Sequence, residues 1–429
     1  MQEQVRVGLL GCGNVGAALV RLVHEHADLI ETRAGVPIEI ARVAVRDLTK
    51  DRGLPLPARC FTDDAAGVVG DPDVDVVVEV IGGVEPARSL IVEALMGGKP
   101  VVTANKELLA VHGRELFETA EGAGVDLLFE ASVGGGIPLM RPLRESLAGD
   151  RIRRVMGIVN GTTNYILTRM TDGGATFADA LADAQLLGFA EPDPTADVEG
   201  YDAAAKAAII ASIAFGARVV SSDVYREGIT GITADDIGAA RDLGYVVKLL
   251  AIAEEVDGEV AVRVHPTMVP ERHPLAAVRD SFNAVFIEGD AVGELMFYGR
   301  GAGGMPTASA VLGDLVDATK NLVEGRKGAT IGTLVAKPIR DIGDVFSQFY
   351  LHTEVADRPG VLAAIALKFA EHGVSIKSMQ QQGIGDDARL VFVTHRAREG
   401  DVRATVLALR DVDAVHRVGA VLRVIGDEE

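Results

Sequence analysis

The sequence predicts an α/β protein with three parts: a parallel-sheet domain at the N-terminus, an α+β domain in the middle and a small α+β module at the C-terminus. Apolar runs of strand length alternate with patterns of helical period over roughly the first 130 residues, which favours a parallel sheet with crossover helices. A glycine-rich loop joins the first strand to the first helix. From about residue 350 the order is strand, helix, strand, strand, helix, strand, as in a ferredoxin-like fold.

Composition and charge disfavour several classes of function. The chain has 42 Lys and Arg against 62 Asp and Glu, a formal charge of −20, which argues against nucleic acid or an anionic membrane as a partner. Its two cysteines, Cys12 and Cys60, give no disulfide framework and no cysteine-rich zinc site. The apolar stretch near 203–220 is interrupted by Lys206 and Arg218, so it indicates a core helix and not a membrane span. We therefore expect a cytoplasmic protein.

The first domain is predicted over residues 1–135. Val5–Leu10 is an apolar run of strand length, and apolar residues at helical spacing follow from Val15 to Val23. Further strands are predicted at 38–45, 74–81, 100–102 and 125–130, and helices at 86–96 and 107–120. A helix near 305–323 is expected to return and complete this domain.

The glycine-rich loop has the spacing of a dinucleotide-binding turn. Gly11 permits the tight turn, Gly13 lets backbone approach a pyrophosphate, and Gly16 lets the helix pack closely on the strand. Asn14 and Val15 open the helix, whose N–H groups and positive dipole end attract phosphates. Because the loop leaves a strand and opens a helix, it predicts a Rossmann-type domain that binds NAD or NADP. The alternative is a glycine-rich turn without a ligand.

The end of the second strand bears on the choice between the two coenzymes. It reads Val45-Arg46-Asp47. Asp47 would suit the ribose hydroxyls of NAD, and Arg46 would suit the 2′-phosphate of NADP. We favour Arg46 as a coenzyme-binding residue, with NADP or both coenzymes used. The alternative is that Arg46 is an ordinary solvated residue.

Charged residues in the middle of the chain suggest a reaction centre. Lys106 follows a strand at its carboxyl end, which is where ligands lie in an open α/β sheet. Asp202 and Lys206 are four residues apart at the start of an apolar helix, so they share one face. Such a pair is alternatively a local helix ion pair, although a lysine on an apolar helix normally has a partner or a task. Three acidic residues lie just upstream: Glu191, Asp193 and Asp197.

Four segments, taken in order, resemble the homoserine dehydrogenase family. They are TANK at 103–106, EASVGGGIP at 130–138, NGTTNY at 160–165 and GFAEPDPTADVEGYDAAAK at 188–206. The resemblance covers essentially the whole chain and is to the form without a kinase domain. It implies reversible reduction of L-aspartate 4-semialdehyde to L-homoserine with NAD(P)H, in threonine and methionine biosynthesis. It also implies a catalytic and dimerisation domain over 136–305 and a homodimer or homotetramer.

The resemblance gives roles to the residues that match the family's motifs. Lys106 and Lys206 would face the substrate carbonyl, one of them donating the proton, and Asp202 would support that lysine. A neighbouring lysine lowers the pKa of a lysine whereas an aspartate raises it, so the net direction and the identity of the donor stay open at this point.

Five further positions are implied for the substrate and the nicotinamide. Carboxylates suit the ammonium group of an amino-acid substrate, and backbone beside the substrate is supplied by NGTTNY. The implied substrate residues are Glu191, Asp197, Gly161 and Thr162. Gly303 would approach the nicotinamide, or would alternatively be a simple helix start.

The resemblance also implies a sodium site. Backbone carbonyls and one carboxylate are suitable hard oxygen donors. The implied residues are Glu130, Val133, Gly135 and Ile137. A glycine-rich loop at this place is alternatively a plain hinge between domains.

The C-terminal module, residues 350–429, resembles an ACT domain through its Asp357-Arg-Pro-Gly360 turn. Strands are predicted at 351–355, 374–381, 390–395 and 415–425, a helix at 402–409, and a turn at 383–386. The resemblance implies an amino-acid sensor in which Asp357 and Gly360 hold an effector, threonine in this family. The alternative is a module that only pairs subunits.

A linker is predicted at 342–349, so a chain cut after about Gly343 is expected to stay active and to lose its response to threonine.

Two other functions remain open at this point. One is a different NAD(P)-dependent amino-acid or hydroxy-acid dehydrogenase. The other is a non-catalytic amino-acid sensor on the same scaffold.

Overall fold

The computed structural model describes residues 3–329, 331–382 and 388–426. Their strands form a six-stranded sheet in the N-terminal third and an eleven-stranded sheet in the rest of the chain. Within the described ranges, no helix has the length and apolar character needed to span a membrane.

The first sheet is parallel throughout, which confirms the predicted Rossmann-type fold. Its strands are β1 (Val5–Leu10), β2 (Ile38–Ala44), β3 (Phe61–Thr62), β4 (Val76–Glu79), β5 (Val101–Thr103) and β6 (Leu127–Leu128). Its helices are α1 (Asn14–Glu25), α2 (Ala27–Ala34), α3 (Ala65–Gly70), α4 (Ala87–Met96) and α5 (Lys106–Ala123). The strand order β3-β2-β1-β4-β5-β6 reverses direction at β1. Open sheets of this kind bind ligands beside such a reversal, at the carboxyl ends of the strands.

The middle of the chain forms the larger part of the second sheet. Its strands are β7 (Ile152–Ile158), β8 (Tyr225–Arg226), β9 (Tyr245–Val256), β10 (Glu259–Pro270), β11 (Phe282–Gly289) and β12 (Gly293–Arg300). Its helices are α6 (Gly161–Gly173), α7 (Phe177–Leu186), α8 (Thr195–Val198), α9 (Tyr201–Phe215), α10 (Ala234–Asp242) and α11 (Gly304–Val323). Helix α9 packs on β9 and β10, and its Ala and Ile side chains are buried. That packing fixes the polar start of α9 in space.

Helix α11 returns to the first sheet. It packs against α1, and its buried Ala308, Val311 and Leu315 share an apolar core with Val7 and Leu19. The N-terminal domain is therefore completed by a segment that follows the middle domain in the chain.

The C-terminal region has the predicted βαββαβ order with one short strand added. Its elements are β13 (Phe346–Val355), α12 (Val361–Glu371), β14 (Ile376–Gln382), β15 (Ala388–Thr394), β16 (Ala397–Arg398), α13 (Glu399–Arg410) and β17 (Val415–Val424). The turn predicted at 383–386 lies outside the described residues.

The C-terminal module is continuous with the middle domain, which the sequence did not predict. Strand β17 pairs in parallel with β10 at two positions, opposite Thr267 and Met268, and the two sheets become one. Buried Tyr350 and Leu422 of the module belong to the same apolar core as the middle domain.

The predicted linker at 342–349 is wrong in its second half. Residues 342–344 form a short 3₁₀ turn, and β13 already begins at Phe346. The alternation of Phe346-Ser-Gln-Phe349 is too short to be distinguished from a polar connection by periodicity alone.

Candidate active site

A cavity of about 670 Å³ opens between the first and second sheets. Its walls come from the ends of β4 and β5, the starts of α6 and α9, and the loop between β12 and α11. The volume lies within the usual range of small-molecule sites. The cavity also lies at the carboxyl ends of the first sheet's strands, where the topology places a ligand.

Helix α9 brings an aspartate and a lysine into this cavity together. Gly200, at a φ of +79°, precedes the helix, and Asp202 lies in its first turn, where the helix dipole favours a carboxylate. Lys206 Nζ lies 2.7 Å from Asp202 Oδ2 and donates to the Val159 carbonyl at 2.7 Å. The Lys206 side chain is only 11% exposed, so these two contacts hold the ammonium in one position.

The second lysine comes from the N-terminal domain. Asn105 caps α5, its Oδ1 accepting from the Leu108 N–H at 3.1 Å, and Lys106 is the first residue of that helix. Lys106 Nζ lies 3.1 Å from Asp202 Oδ1, and its side chain is 36% exposed. One carboxylate therefore holds two ammonium groups, one from each domain.

Burial and charge act in opposite directions on these groups. Burial raises the pKa of Asp202, but the two lysines outweigh it and lower that pKa to about 2. Burial lowers the pKa of Lys106, and the attraction of Asp202 outweighs it, so the pKa is raised. The direction that the sequence left open is upward for Lys106. At neutral pH the site presents an ionised carboxylate and a cationic lysine, which suits stabilisation of a developing alkoxide.

Asn160 is a site residue that the sequence reasoning missed. Its Nδ2 donates to Asp197 Oδ1 at 2.6 Å and to Asp202 Oδ2 at 2.8 Å, while its Oδ1 caps α6 by accepting from the Thr163 N–H at 2.9 Å. The signal was present, since Asn160 opens the NGTTNY segment in the position of a helix cap.

The four predicted substrate residues fall into two groups in the structure, because three of them line the cavity and the fourth is exposed. Asp197, Gly161 and Thr162 line the cavity, and Thr162 Oγ1 donates to the Phe189 carbonyl at 2.6 Å. Glu191 is exposed, on a loop of which only the first residues reach the cavity. Of the two predicted carboxylates, Asp197 is the one that lines the cavity, and the substrate roles of these residues stay predictions.

The glycine loop has the shape that a dinucleotide pyrophosphate needs. Gly11 is at a φ of +96°, and a Cβ on Gly16 would lie 2.3 Å from the Gly11 carbonyl oxygen. A Cβ on Gly13 would point into open space, so the small residue there leaves room for a ligand. Val15 lines the cavity, as does Gly303.

A second arginine, Arg52, lies close to the glycine loop in addition to the predicted Arg46. Arg46 is exposed after β2, and Asp47 Oδ1 accepts from the Thr49 N–H at 2.8 Å, which engages Asp47 in its own turn. Arg52 Nε donates to the Cys12 carbonyl at 3.4 Å and Nη2 to the Asp47 carbonyl at 2.9 Å. Arg52 therefore ties the end of β2 to the glycine loop.

Comparison with known proteins agrees with this geometry. Residues 11–130 match the NAD-binding domain of homoserine dehydrogenase, residues 138–316 match homoserine dehydrogenase, and residues 350–414 match the ACT domain. The homoserine dehydrogenase of Mycobacterium tuberculosis is 51% identical over 436 residues, covering 99% of this chain and 98% of the relative. The chain belongs to the homoserine dehydrogenase family. It is an NAD(P)-dependent oxidoreductase that acts on a CH–OH group, with a C-terminal ACT domain.

Solved homoserine dehydrogenases share the fold. The enzyme from Thiobacillus denitrificans superposes with a TM-score of 0.93 at 43% identity, covering 98% of both chains. A hyperthermophilic archaeal homoserine dehydrogenase in complex with NADPH superposes with a TM-score of 0.63 at 29% identity, covering 74% of this chain and 98% of that one. The resemblance drawn from the sequence is confirmed, and the non-catalytic sensor is excluded.

The Glu130 carboxylate, which was predicted to be a donor to sodium in this homoserine dehydrogenase, has other partners in the structure. Glu130 is buried, and its carboxylate accepts from the backbone N–H groups of Leu139, of Met140 at 2.9 Å and of Arg141 at 2.7 Å. Three N–H groups take up most of the acceptor sites of this carboxylate and leave little of it for a cation. Among the described residues, no group of three or more His, Cys, Asp or Glu side chains is placed to hold a metal ion. The carbonyls of Val133, Gly135 and Ile137 stay a prediction.

The ACT turn of the dehydrogenase is exposed, and a side-chain hydrogen bond joins it to β14. Gly360, at a φ of +94°, precedes α12, and Asp357 Oδ1 accepts from Gln381 Nε2 at 3.0 Å. The turn thus connects the start of α12 to strand β14.

Proposed function

We propose that the cavity described above is the active site of this homoserine dehydrogenase, and that the two lysines on Asp202 act on the substrate carbonyl. The observation that carries this is the single carboxylate holding one ammonium from each domain. NAD(P)H, when bound along the glycine loop, supplies the hydride. The aldehyde oxygen gains negative charge as its carbon is reduced, and a lysine N–H neutralises that charge by donating its proton. In the reverse direction the same lysine takes the proton from the homoserine hydroxyl.

The hydrogen bonds of the two lysines leave donors for the substrate. Of three N–H groups on each ammonium, Lys206 directs one to Asp202 and one to Val159, and Lys106 directs one to Asp202. The test is nicotinamide absorbance with homoserine as substrate, run against malate and glutamate. Oxidation of malate or glutamate at a comparable rate, with none of homoserine, would contradict the proposal.

We expect Asp197→Asn to raise KM for homoserine by about tenfold, the scale of one charge-assisted contact to an ammonium. Asp197 lines the cavity, and the amide keeps its shape while removing the charge. Glu191→Gln is the matched variant on the exposed loop, and we expect it to raise KM for homoserine as well, because the resemblance places Glu191 at the substrate ammonium. Coenzyme affinity, measured by fluorescence titration, should be unchanged in both. An equal loss of coenzyme affinity would contradict the assignment.

We propose that Arg46 binds the 2′-phosphate of NADP, supported by its place after β2. Arg46→Ala is expected to raise KM for NADPH about tenfold more than KM for NADH, since one charge-assisted hydrogen bond to phosphate is lost. Arg52→Ala is the companion variant. It should weaken both coenzymes equally because Arg52 contacts the glycine loop at Cys12. Equal responses of the two coenzymes to Arg46→Ala would remove Arg46 from the phosphate site.

We propose that threonine binds the ACT turn at Asp357 and Gly360 and that ACT modules pair in a homodimer or homotetramer. The supporting feature is the start of α12 at Gly360, whose N–H groups suit an amino-acid carboxylate. Initial rates measured at increasing threonine concentration, for wild type and for Asp357→Asn, test the proposed threonine site. Sedimentation mass tests the proposed pairing, and a monomer at working concentration would contradict it.

A further inference from the structure

A short segment of the middle domain, residues 225–230, lies between the ACT module and the active-site turn. It comprises β8 and the four residues after it. On one side it contacts β17 and α13 of the module through charged groups. On the other it contacts the turn from α8 to α9, which carries Asp197 and Asp202.

The contacts to the ACT module form a dense ionic cluster. Arg423 of β17 is 5% exposed, and both of its terminal nitrogens reach the carboxylate of Glu227, Nη2 to Oε1 at 2.7 Å. Arg423 also pairs with Glu399 of α13. Arg403 of α13 donates to the Tyr225 hydroxyl at 2.7 Å, and that hydroxyl donates to Glu227. The module therefore holds the 225–230 segment through two of its side chains, Tyr225 and Glu227.

The contacts to the active-site turn are made by both backbone and side chains. The Ile229 N–H donates to the Val198 carbonyl at 2.8 Å, and Arg226 Nη1 donates to the Glu199 carbonyl at 2.7 Å. A Cβ on Gly228 would lie 2.4 Å from the Val198 carbonyl oxygen. The 225–230 segment is thus packed directly on the end of α8, without space for a larger residue between them.

The turn under this segment carries Asp197, the carboxylate proposed above to bind the substrate ammonium. Asp197 precedes Val198 within α8, and its Oδ1 accepts from Asn160 Nδ2 at 2.6 Å. A shift of the 225–230 segment would move the Val198 carbonyl and, one residue away, Asp197. Even a small displacement of a charged group matters in a binding site because charge-assisted contacts depend steeply on geometry.

We propose that Glu227 and Arg423 are positioning residues for substrate binding: the ACT module, through this ion pair and the 225–230 segment, sets the position of Asp197. The proposal rests on the proposed role of Asp197 at the substrate ammonium. It assigns the last strand of the regulatory module a part in the basal dehydrogenase reaction, whether or not an effector is present.

The test uses the full-length enzyme and compares two Glu→Gln variants. Glu227→Gln removes the charge that pairs with Arg423. Glu288→Gln is the matched control, because Glu288 forms a similar two-bond pair with Arg154 at 2.7 and 2.9 Å and does not line the cavity. We expect Glu227→Gln to raise KM for homoserine about five- to tenfold with kcat and KM for the coenzyme within about twofold. Glu288→Gln should lower the thermal midpoint comparably and leave KM unchanged.

A double-mutant cycle separates positioning from general loosening. If Glu227 acts through Asp197, the Glu227→Gln/Asp197→Asn variant has the same KM as Asp197→Asn alone, whereas independent effects would multiply. Multiplying effects, or a normal KM in Glu227→Gln, would overturn the proposal while Asp197→Asn still raises KM. A normal KM in Asp197→Asn itself would instead refute the proposed role of Asp197.

A milder variant covers the case in which Glu227→Gln does not fold. Tyr225→Phe removes one hydroxyl and its bonds to Glu227 and Arg403, while the Arg423 pair remains. We expect a KM increase of about two- to threefold, abolished when Asp197→Asn is also present. Arg423→Lys keeps the charge without the two-bond geometry and should give an intermediate KM. A KM equal to wild type in both variants would also overturn the proposal.

Discussion

Lys206→Ala is expected to lower kcat by at least about 10²-fold, the usual contribution of a positioned acid or base. The variant removes the ammonium that lies 2.7 Å from Asp202 and leaves that buried carboxylate with Lys106 and the Asn160 amide as partners. Because α9 then supplies no proton donor, the alkoxide formed on hydride transfer has only one of the two proposed lysines, Lys106, to neutralise it. The measurement is steady-state kcat with saturating homoserine and coenzyme.

Lys206→Arg is the informative companion. Arginine keeps the positive charge but does not give up its proton near neutral pH, so kcat should fall nearly as far as in the alanine variant. Lys106→Ala is expected to lower kcat to a similar extent, since its raised pKa keeps a cation beside Asp202. A kcat equal to wild type in either alanine variant would remove that lysine from the reaction.

Cutting the chain after Gly343 is expected to abolish activity, the opposite of the expectation from sequence alone. The cut removes β17 from the edge of β10 and takes Tyr350 and Leu422 out of the shared apolar core. It also leaves Glu227 without Arg423. The main cost is the exposure of the shared apolar core to water, because burial of apolar surface is the dominant favourable contribution to folding.

The truncated chain should be recovered aggregated or with a strongly lowered thermal midpoint, measured beside full-length Arg417→Ala as a control. Arg417 lies on the same strand but pairs with Glu354 at the surface, with 57% and 43% of their side chains exposed. A monodisperse truncated enzyme with normal kcat would contradict the expectation and restore the view of the ACT module as an independent attachment.

The sequence was sufficient for features that depend on local chemistry. Glycines at positions 11, 13 and 16 have a steric reason that needs only a strand before them and a helix after them. The four-residue spacing of Asp202 and Lys206 likewise fixes a shared helix face.

Features that depend on contacts between distant segments could not be found in this way. The pairing of β17 with β10 joins residues more than 150 positions apart in the chain, and no periodicity indicates such a partner. Glu130 was assigned to a cation through the family resemblance, which does not indicate the partners of its side chain, whereas the structure shows three backbone N–H groups as its partners. Asn160 was not predicted because the pattern of a helix cap does not indicate that the same side chain also contacts two carboxylates.

The bridge that Asp202 makes between two lysines also spans the gap between two domains. Lys106 is carried by the nucleotide-binding domain and Asp202 by the catalytic domain, 3.1 Å apart when the cavity has its present width. Widening the cleft would part these charges and admit water between them, which weakens their attraction severalfold. The contact between Lys106 and Asp202 therefore depends on the distance between the two domains. A wider cleft would take Lys106 away from Asp202, whereas Lys206 lies on the same helix as Asp202 and would stay beside it.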